Sequence, residues 1–544
     1  MKKRLLTSGL CLLSLTIPIG CQQKSYRTPS SLKNSNFDSL IHEMHESVSK
    51  GVKSPKECAQ KTQYYYGKLF EIESDDIDFS EFSKYQMQDF TMASFNIRLD
   101  LKEKLKALNS NDELTQEELA CLKGVKTIFR ALRYLEDYFI ESYYASRQKG
   151  SKPIDFNTLD YSNNKIEDLP VHFMVNPDYS FEGVEDLKSG DIILSRGNAY
   201  SSAAIARIGD DDHQFSHLTL VYRDEKTNKL YTSEAHIEVG NVVAPFQVHL
   251  DQKNSRTVVF RHKDEKLAHL AGKIMHERFS KYSKEKKKNV PYDFAMDYHD
   301  DSEVFCSEVI YHGYKKASEQ LSSKSMDIPE YKTTFNPALL SFLQDFGLKV
   351  TSENISSFKT FGPGEIQFDS RFDLVAEWRN PNKLKDTRYK DAVLTKIFEW
   401  MENKNYAFDP GLGTKLGNDF AWLARRSIVT RGLIKFVAGV DLEEKFPLNL
   451  GSKQIDLFVV LDEVGEQLYK KIEIAEKEKG KILSFKEMFE VLENYRVQDE
   501  KVYGQYLKDK KFNQKQMHSG SRRNAVRRRR ILTPPDFHHL FHSS

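Results

Sequence analysis

The stretch VFCSEVIY at residues 304–311 bears most directly on the fold of this chain. As a helix, it places Cys306 at the head of an apolar stripe with Val309 and Gly313, because residues three and four positions apart share one helix face. We expect one of the polar residues 300–302 to cap this helix. A thiol in a first helical turn is predisposed to react as a nucleophile, since a helix N-terminus lowers the pKa of a thiol.

Two segments upstream have the pattern of strands, FSHLTLVY at residues 215–222 and LYTSEAH at 230–236. Alternate side chains of a strand share one face, so Glu234 and His236 point to the same side of the second strand. The imidazole of His217 can accept a thiol proton if a third polar group holds it in the right tautomer. Glu234 is the first candidate for that group, and His236 is the alternative.

Each of these residues also has a plain structural explanation. A histidine beside apolar residues is usually a core or surface residue, and free cysteine is among the most buried residue types. Glu234 would also suit an exposed position on a strand. Single residues therefore leave the question open.

The motifs taken together resemble a known family. They occur in one order along the chain: GDIIL at 190–194, FSH at 215–217, Glu234-Ala235, Tyr292-Asp293 and FCSEV at 305–309. This set resembles the YiiX/YaeF-like group of NlpC-related cysteine hydrolases, which have a circularly permuted papain-like fold. The resemblance covers roughly residues 180–320. It implies Cys306 as nucleophile, His217 as base and Glu234 as the orienting acid, with Tyr292 and Tyr298 as candidates for contact with substrate.

The implied chemistry is acyl transfer. His217 takes the thiol proton, Cys306 attacks a carbonyl, and backbone N–H groups at the start of the helix stabilise the oxyanion. Water then releases the thioester. We expect no cofactor and no metal, because the sequence has no close Cys-x-x-Cys or His-Glu-x-x-His spacing.

The length of 544 residues predicts more than one domain. We expect an α+β fold, in which an antiparallel sheet with helices is flanked by helical regions. The expected segments are a helical region at 37–150, the hydrolase domain at 155–320, a mainly helical region at 330–510 and a basic, disordered tail at 511–544. Within these, strands are expected at 191–194, 218–222, 230–235 and 257–261, a helix at 265–282, and a capping box at Thr115 and Glu118.

The N-terminus has the features of an export signal. A basic head at residues 2–4 precedes an apolar run that ends at Gly20-Cys21, and the run is too short to span a bilayer comfortably. This predicts a signal peptide over 1–21, and the end of the run resembles a bacterial lipobox in which Cys21 becomes the acylated N-terminus. Pro18 stands where that pattern usually has Leu, and a plain signal peptide or an uncut anchor is the alternative. Residues 22–36 are expected to form a flexible tether.

The cysteine content agrees with export, and the net charge indicates which partners are not expected. Cys58 and Cys121 could form a disulfide in an oxidising compartment, which leaves Cys306 as the odd thiol. The net charge of +2 argues against a globally basic nucleic-acid binder, so nucleic acid is not an expected partner.

Three functions compete at this point. The first is an amidase or peptidase of the cell envelope, acting on peptides such as those of peptidoglycan, in a protein anchored to a bacterial membrane. The second is a lipid acyl hydrolase or acyltransferase on the same fold. The third is a non-catalytic envelope scaffold or binding lipoprotein.

Overall fold

The computed structural model describes most of the chain between residues 36 and 543. The described residues are 36–50, 54–108, 114–147, 159–162, 169–250, 252, 254–297, 300–321, 333–410, 450–518 and 530–543. The predicted signal peptide with Cys21, the predicted tether up to residue 35 and Tyr298 lie outside these residues. So do arginines 522, 523 and 527–529 of the basic tail.

The N-terminal region is helical in its described part. It contains α1 (Asn36–Lys50), α2 (Pro55–Phe70), α3 (Lys84–Leu108) and α4 (Gln116–Arg147). The predicted capping box is confirmed: the Thr115 N–H donates to Glu118 Oε2 at 2.8 Å, and the Glu118 N–H donates to Thr115 Oγ1 at 3.3 Å. Buried apolar residues along α4, among them Phe129 and Leu132, pack this helix between its neighbours.

A disulfide joins α2 to α4. Cys58 and Cys121 are bonded, with their Cα atoms 5.2 Å apart, across a sequence separation of 63 residues. Among the described residues, Cys306 is the free cysteine.

Removing this disulfide with Cys58→Ser and Cys121→Ser together is expected to lower the free energy of unfolding by about 2–4 kcal/mol, because the bond restricts the unfolded chain. Urea unfolding followed by circular dichroism measures the change. Ser302→Ala, which changes an exposed residue and leaves the disulfide in place, is the control and should change the free energy of unfolding by less than about 1 kcal/mol. Equal unfolding midpoints for the double variant and the wild type would contradict the prediction.

The centre of the fold is a seven-stranded sheet in the order β1-β7-β6-β2-β3-β4-β5, in which every neighbouring pair is antiparallel. Its strands are β1 (Phe173–Val175), β2 (Ile192–Arg196), β3 (His217–Arg223), β4 (Leu230–His236), β5 (Gly240–Pro245), β6 (Arg256–His262) and β7 (Phe372–Arg379). The four predicted strands are confirmed as β2, β3, β4 and β6, and so is the predicted α+β fold class.

Both faces of the sheet are buried. Ile192 and Leu194 of β2 face the larger core, while Ile193 faces a smaller cluster on the opposite side. This explains the continuous apolar run in β2, since a strand covered on both faces needs apolar residues at successive positions.

Helices surround the sheet that carries His217 and Glu234. They are α5 (Tyr200–Ile205), α6 (Phe246–Leu250), α7 (Glu265–Lys286), α8 (Cys306–Leu321) and α9 (Leu340–Phe346). The predicted helix at 265–282 is confirmed as α7, whose first turn is capped by the Asp264 side chain. Helix α8 packs on α7 and on β3, so Cys306 lies close to the beginning of β3.

The C-terminal region differs from the predicted segments in two respects. Its elements are β7, α10 (Pro381–Lys404), β8 (Tyr406–Phe408), α11 (Ser452–Lys479), α12 (Phe485–His518) and β9 (Phe541–Ser543). Strand β7 pairs with β6 and β1, so the sheet of the hydrolase domain takes a strand from beyond the predicted boundary at 320. The predicted disordered tail is wrong for residues 511–518, which continue α12, and for residues 530–543. In the second stretch β9 pairs with β8, and Phe537 packs against Trp400 with their ring centroids 6.1 Å apart.

Buried ion pairs join the N-terminal helices to β7. Glu377 lies 2.8 Å from Arg98 and 2.9 Å from Arg133, while Arg379 lies 2.6 Å from Glu136. All five side chains are fully buried. A buried charge is destabilising unless an oppositely charged group contacts it. These ion pairs therefore hold the N-terminal helices against the sheet.

A second buried carboxylate ties α10 to the sheet. Asp391 lies 2.7 Å from each of Arg196, Arg207 and Arg256. One continuous hydrophobic core also runs through the N-terminal, central and C-terminal regions. The described regions therefore pack as one body, where the chain length predicted separate domains. Within the described ranges, no helix combines the length and apolar character needed to cross a bilayer.

Candidate active site

The loop before α8 fixes where Cys306 lies. The side-chain amide of Asn241 in β5 reaches the carbonyl oxygens of Val290, Pro291 and Val304 at 3.2, 3.1 and 2.9 Å. These contacts anchor both ends of the loop to the sheet. Cys306 then opens the helix and is buried.

The predicted capping of α8 by residues 300–302 is wrong. The helix begins at Cys306, several residues later, and Asp300 instead bonds Ser302. The N–H of Phe305 is satisfied by Glu308 Oε2 at 2.6 Å. Burial raises the pKa of Glu308 to about 10, so this side chain is neutral near pH 7 and adds no negative charge beside the thiol. Sequence reasoning missed Glu308, although its spacing from residue 305 is that of a first-turn cap.

The segment before β3 is held by helix α4. Gln214 adopts a left-handed backbone conformation with φ of 62°. Its side chain accepts from Arg133 Nη1 at 3.0 Å and donates to the Arg130 carbonyl at 2.9 Å. The Ser216 N–H then donates to the Ser195 carbonyl of β2 at 3.1 Å. His217 follows as the first residue of β3.

The structure brings Cys306, His217 and Glu234 together. The Cys306 thiol donates to the carbonyl oxygen of Ser216, the residue before His217, at 4.0 Å, and it is close enough to the His217 ring to raise the pKa of the imidazole. His217 Nε2 lies 3.0 Å from Glu234 Oε2. Because Nε2 is engaged by the carboxylate, Nδ1 is the ring nitrogen left for the thiol. This is the arrangement that a thiol–imidazole pair with an orienting acid requires.

Glu234 is a buried carboxylate surrounded by histidines. His236 Nε2 lies 3.2 Å from Glu234 Oε2, and His249 Nδ1 lies 3.5 Å from Oε1. Burial works to raise the pKa of Glu234, but the charge of His249 and hydrogen bonds from His217, His236 and His249 hold it well below the usual value. Glu234 therefore stays ionised. His249 was not singled out from the sequence, because its helix α6 is short and remote from the motifs.

The two candidates for the orienting group have different positions. Glu234 contacts the ring of His217, whereas His236 contacts Glu234 and stacks on His217 with ring centroids 5.1 Å apart. Of the two, Glu234 is therefore the residue that contacts the imidazole through a hydrogen bond.

The surroundings of His217 favour its protonated, imidazolium form. Burial lowers its pKa, but hydrogen bonds with Cys306 and Glu234 and the charge of Glu234 outweigh burial and raise the pKa to about 10. The imidazolium form therefore persists through the neutral range and is lost as pH rises through about 10.

Glu234→Gln is expected to move the alkaline limb of the kcat/KM profile to lower pH by about 1–3 pH units, because loss of a neighbouring negative charge lowers the pKa of His217. The measurement is kcat/KM against pH on any amide that the enzyme turns over. Glu265→Gln, which removes an exposed partner of Lys188, is the matched control and should leave the limb in place. An unmoved limb in Glu234→Gln would show that the carboxylate does not support the imidazolium.

A narrow cavity lies beside the thiol. It has room for about one water molecule. Tyr292, predicted to contact substrate, lines this cavity with Cys306. Apart from Tyr292, its described walls are largely apolar, with Ile205, Ile208, Met296, Phe335 and Phe361.

His213 also lines the cavity and was missed by sequence reasoning. It is 1% exposed, and neither ring nitrogen has a hydrogen-bond partner in the structure. A Cβ at Gly362 would lie 2.6 Å from His213 Cε1, and one at Gly364 would lie 2.5 Å from its carbonyl oxygen. Only glycine permits backbone to approach this closely, so the ring is enclosed by the segment before β7.

Residues 186–345 match a family model described as permuted papain-like amidase enzyme, YaeF/YiiX, C92 family. The matched segment contains Cys306, His217 and Glu234, and the resemblance predicted from the motifs is confirmed. This segment is a papain-like cysteine hydrolase domain, and the protein is an enzyme of that class. Comparisons with curated proteins and with solved structures gave no match.

Proposed function

We propose that this enzyme hydrolyses amide bonds in peptides of the bacterial cell envelope, through a thioester on Cys306. The observation that supports this most directly is the contact series from Cys306 to His217 to Glu234 at the start of α8. A decayed, purely structural domain would have no need to keep all three groups in contact, which argues against the scaffold alternative.

The mechanism follows from the contacts. The His217 imidazolium and the Cys306 thiolate form the reactive pair, and the sulfur attacks the amide carbonyl. The Glu308 N–H donates to the Phe305 carbonyl, so the oxyanion is stabilised by the backbone N–H groups of Cys306 and Ser307 at the head of α8. His217 then gives its proton to the leaving amine, and water deprotonated by the same ring hydrolyses the thioester.

The family match supports the amidase over the lipid acyl alternative. Residues 186–345 match a model described as a permuted papain-like amidase. The cavity beside Cys306 also has polar side chains in its wall, from Tyr292, His213 and Thr333, which a peptide can contact. The amidase function is therefore preferred.

Export and membrane anchoring are part of the proposal. The signal-like residues 1–21 and the lipobox-like Cys21 support it from the sequence. The disulfide between Cys58 and Cys121 adds an independent argument, because disulfides persist mainly in oxidising compartments.

The test is a substrate panel. The protein is incubated with soluble muropeptides and, separately, with phospholipid vesicles, and mass spectrometry records new amines and free fatty acids. We expect new amines from the muropeptides and none with Cys306→Ala. Release of fatty acids alone would replace the amidase by the lipid acyl function, and no product from either substrate would remove the envelope assignment.

A further inference from the structure

Three ligand-type side chains converge on the Nε2 side of His217. Glu234 Oε2 lies 3.0 Å from His217 Nε2 and 3.2 Å from His236 Nε2. One ligand atom from each of the three residues lies within 4.8 Å of the others. The hydrolase mechanism uses His217 and Glu234 but assigns no chemical step to His236.

The separations suit a tetrahedral metal ion. Zinc bonds of about 2.0–2.1 Å to nitrogen and oxygen place neighbouring ligand atoms about 3.3 Å apart. The separations from Glu234 Oε2 to the two histidine nitrogens, 3.0 and 3.2 Å, are close to this value, and the two nitrogens lie within 4.8 Å of each other. The backbone also holds the three residues in place, because Glu234 and His236 share one face of β4 and His217 lies on the adjacent β3.

The surroundings supply charge, orientation and access. Glu234 is 1% exposed, and its carboxylate offers the negative charge that a cation needs. Gln252 Nε2 lies 3.3 Å from Oε2 and His249 lies near Oε1, and such partners fix the direction of a ligating carboxylate. The His236 side chain is 25% exposed, which gives an ion a path from solvent.

We propose that His217 Nε2, Glu234 Oε2 and His236 Nε2 form a site for Zn²⁺, and that the ion and the hydrolytic reaction exclude each other. Binding displaces the Nε2 proton of each imidazole, which moves to Nδ1 or to solvent. With the ion on Nε2, the neutral His217 ring holds its proton on Nδ1 and cannot accept the proton of Cys306. This inhibitory consequence rests on the proposed function, whereas binding of the ion does not.

The test separates this site from a thiolate site. ZnCl₂ binding to the full chain is measured by isothermal titration calorimetry in the wild type, in Cys306→Ala, and in Cys306→Ala combined with His236→Gln. We expect one ion per chain in the first two proteins and at least about 10-fold weaker binding in the third, because a ligand is lost. Cys306→Ala combined with His269→Gln, which removes an exposed histidine paired with Glu225, is the control and should bind as Cys306→Ala does.

A second replacement of His236 distinguishes loss of a zinc ligand from loss of the fold. His236→Cys in the Cys306→Ala background keeps a zinc ligand at this position and should retain binding that His236→Gln loses. Loss of binding in Cys306→Ala would assign the ion to the thiol and overturn the proposal. Undiminished binding in the His236→Gln variant, or no binding to the wild type, would also overturn it.

Discussion

Cys306→Ala is expected to lower turnover of every accepted substrate by about 10,000-fold or more, because the thiol supplies the only covalent step of the mechanism. The side chain is buried at the head of α8, where the thiol donates to the carbonyl oxygen of Ser216 beside His217. Its removal leaves the oxyanion donors and the imidazole in place without a nucleophile. Single-turnover kinetics on the amide identified by the substrate panel measures the loss.

Two controls make this result specific. Ser302→Ala changes an exposed residue of the loop before α8 and should keep wild-type turnover. A thiol-reactive activity probe should label the wild-type chain at Cys306, while the Cys58–Cys121 disulfide stays unlabelled. Turnover within about 10-fold of wild type in Cys306→Ala would remove the thiol from the mechanism.

Glu377→Gln is expected to destabilise the fold by about 3–5 kcal/mol, because it leaves buried guanidinium groups without their counter-charge. Glu377 lies 2.8 Å from Arg98, 2.9 Å from Arg133 and 2.8 Å from Arg379, and none of these side chains reaches solvent. Burial works to raise the pKa of Glu377, but the three arginines hold it well below its usual value.

The same carboxylate makes stability depend on pH. Because its folded pKa is depressed, Glu377 stabilises the fold at pH values above its unfolded pKa, and this contribution is lost as pH falls through the folded value. Wild-type stability should therefore fall on the acid side, and the fall should be smaller in Glu377→Gln. Urea unfolding at neutral and acid pH measures both effects.

The matched control is a pair at the surface. Glu185 is largely exposed and lies 3.3 Å from Arg223, so Glu185→Gln should change the free energy of unfolding by only about 0–1 kcal/mol. A change of similar size in Glu377→Gln would contradict the prediction that the buried network holds the regions together. Arg133 also contacts Gln214, so the Glu377 variant should in addition loosen the segment that leads to His217.

The residues of the candidate site could be predicted from the sequence more completely than the fold of the flanking regions. The order of the motifs identified Cys306, His217 and Glu234, and the structure brings these three side chains together. The choice between Glu234 and His236 remained open because both lie on one face of a strand. The pairing of β3 with β4 does not decide this, because the register that places Thr219 opposite Glu234 places His217 opposite His236. The side-chain contact between Glu234 Oε2 and His217 Nε2 decides it.

The missed elements share a cause. Strand β7 contains Glu377 and Arg379, whose charges are typical of a surface when read along the chain, and only buried partners far away in sequence make them core residues. In the same way, Phe537 and Phe541 lie beyond an arginine-rich run, and their partner Trp400 becomes visible only in three dimensions.

The sequence by itself determined the strands with local apolar patterns and the capping box of α4, because each depends on residues close together in the chain. Tertiary structure decided the last strands of the sheet, the capping of α8 by Glu308 and the histidines around Glu234. These features depend on buried charged and aromatic side chains. Such side chains are stable in the interior only when segments distant in sequence provide the groups that they contact.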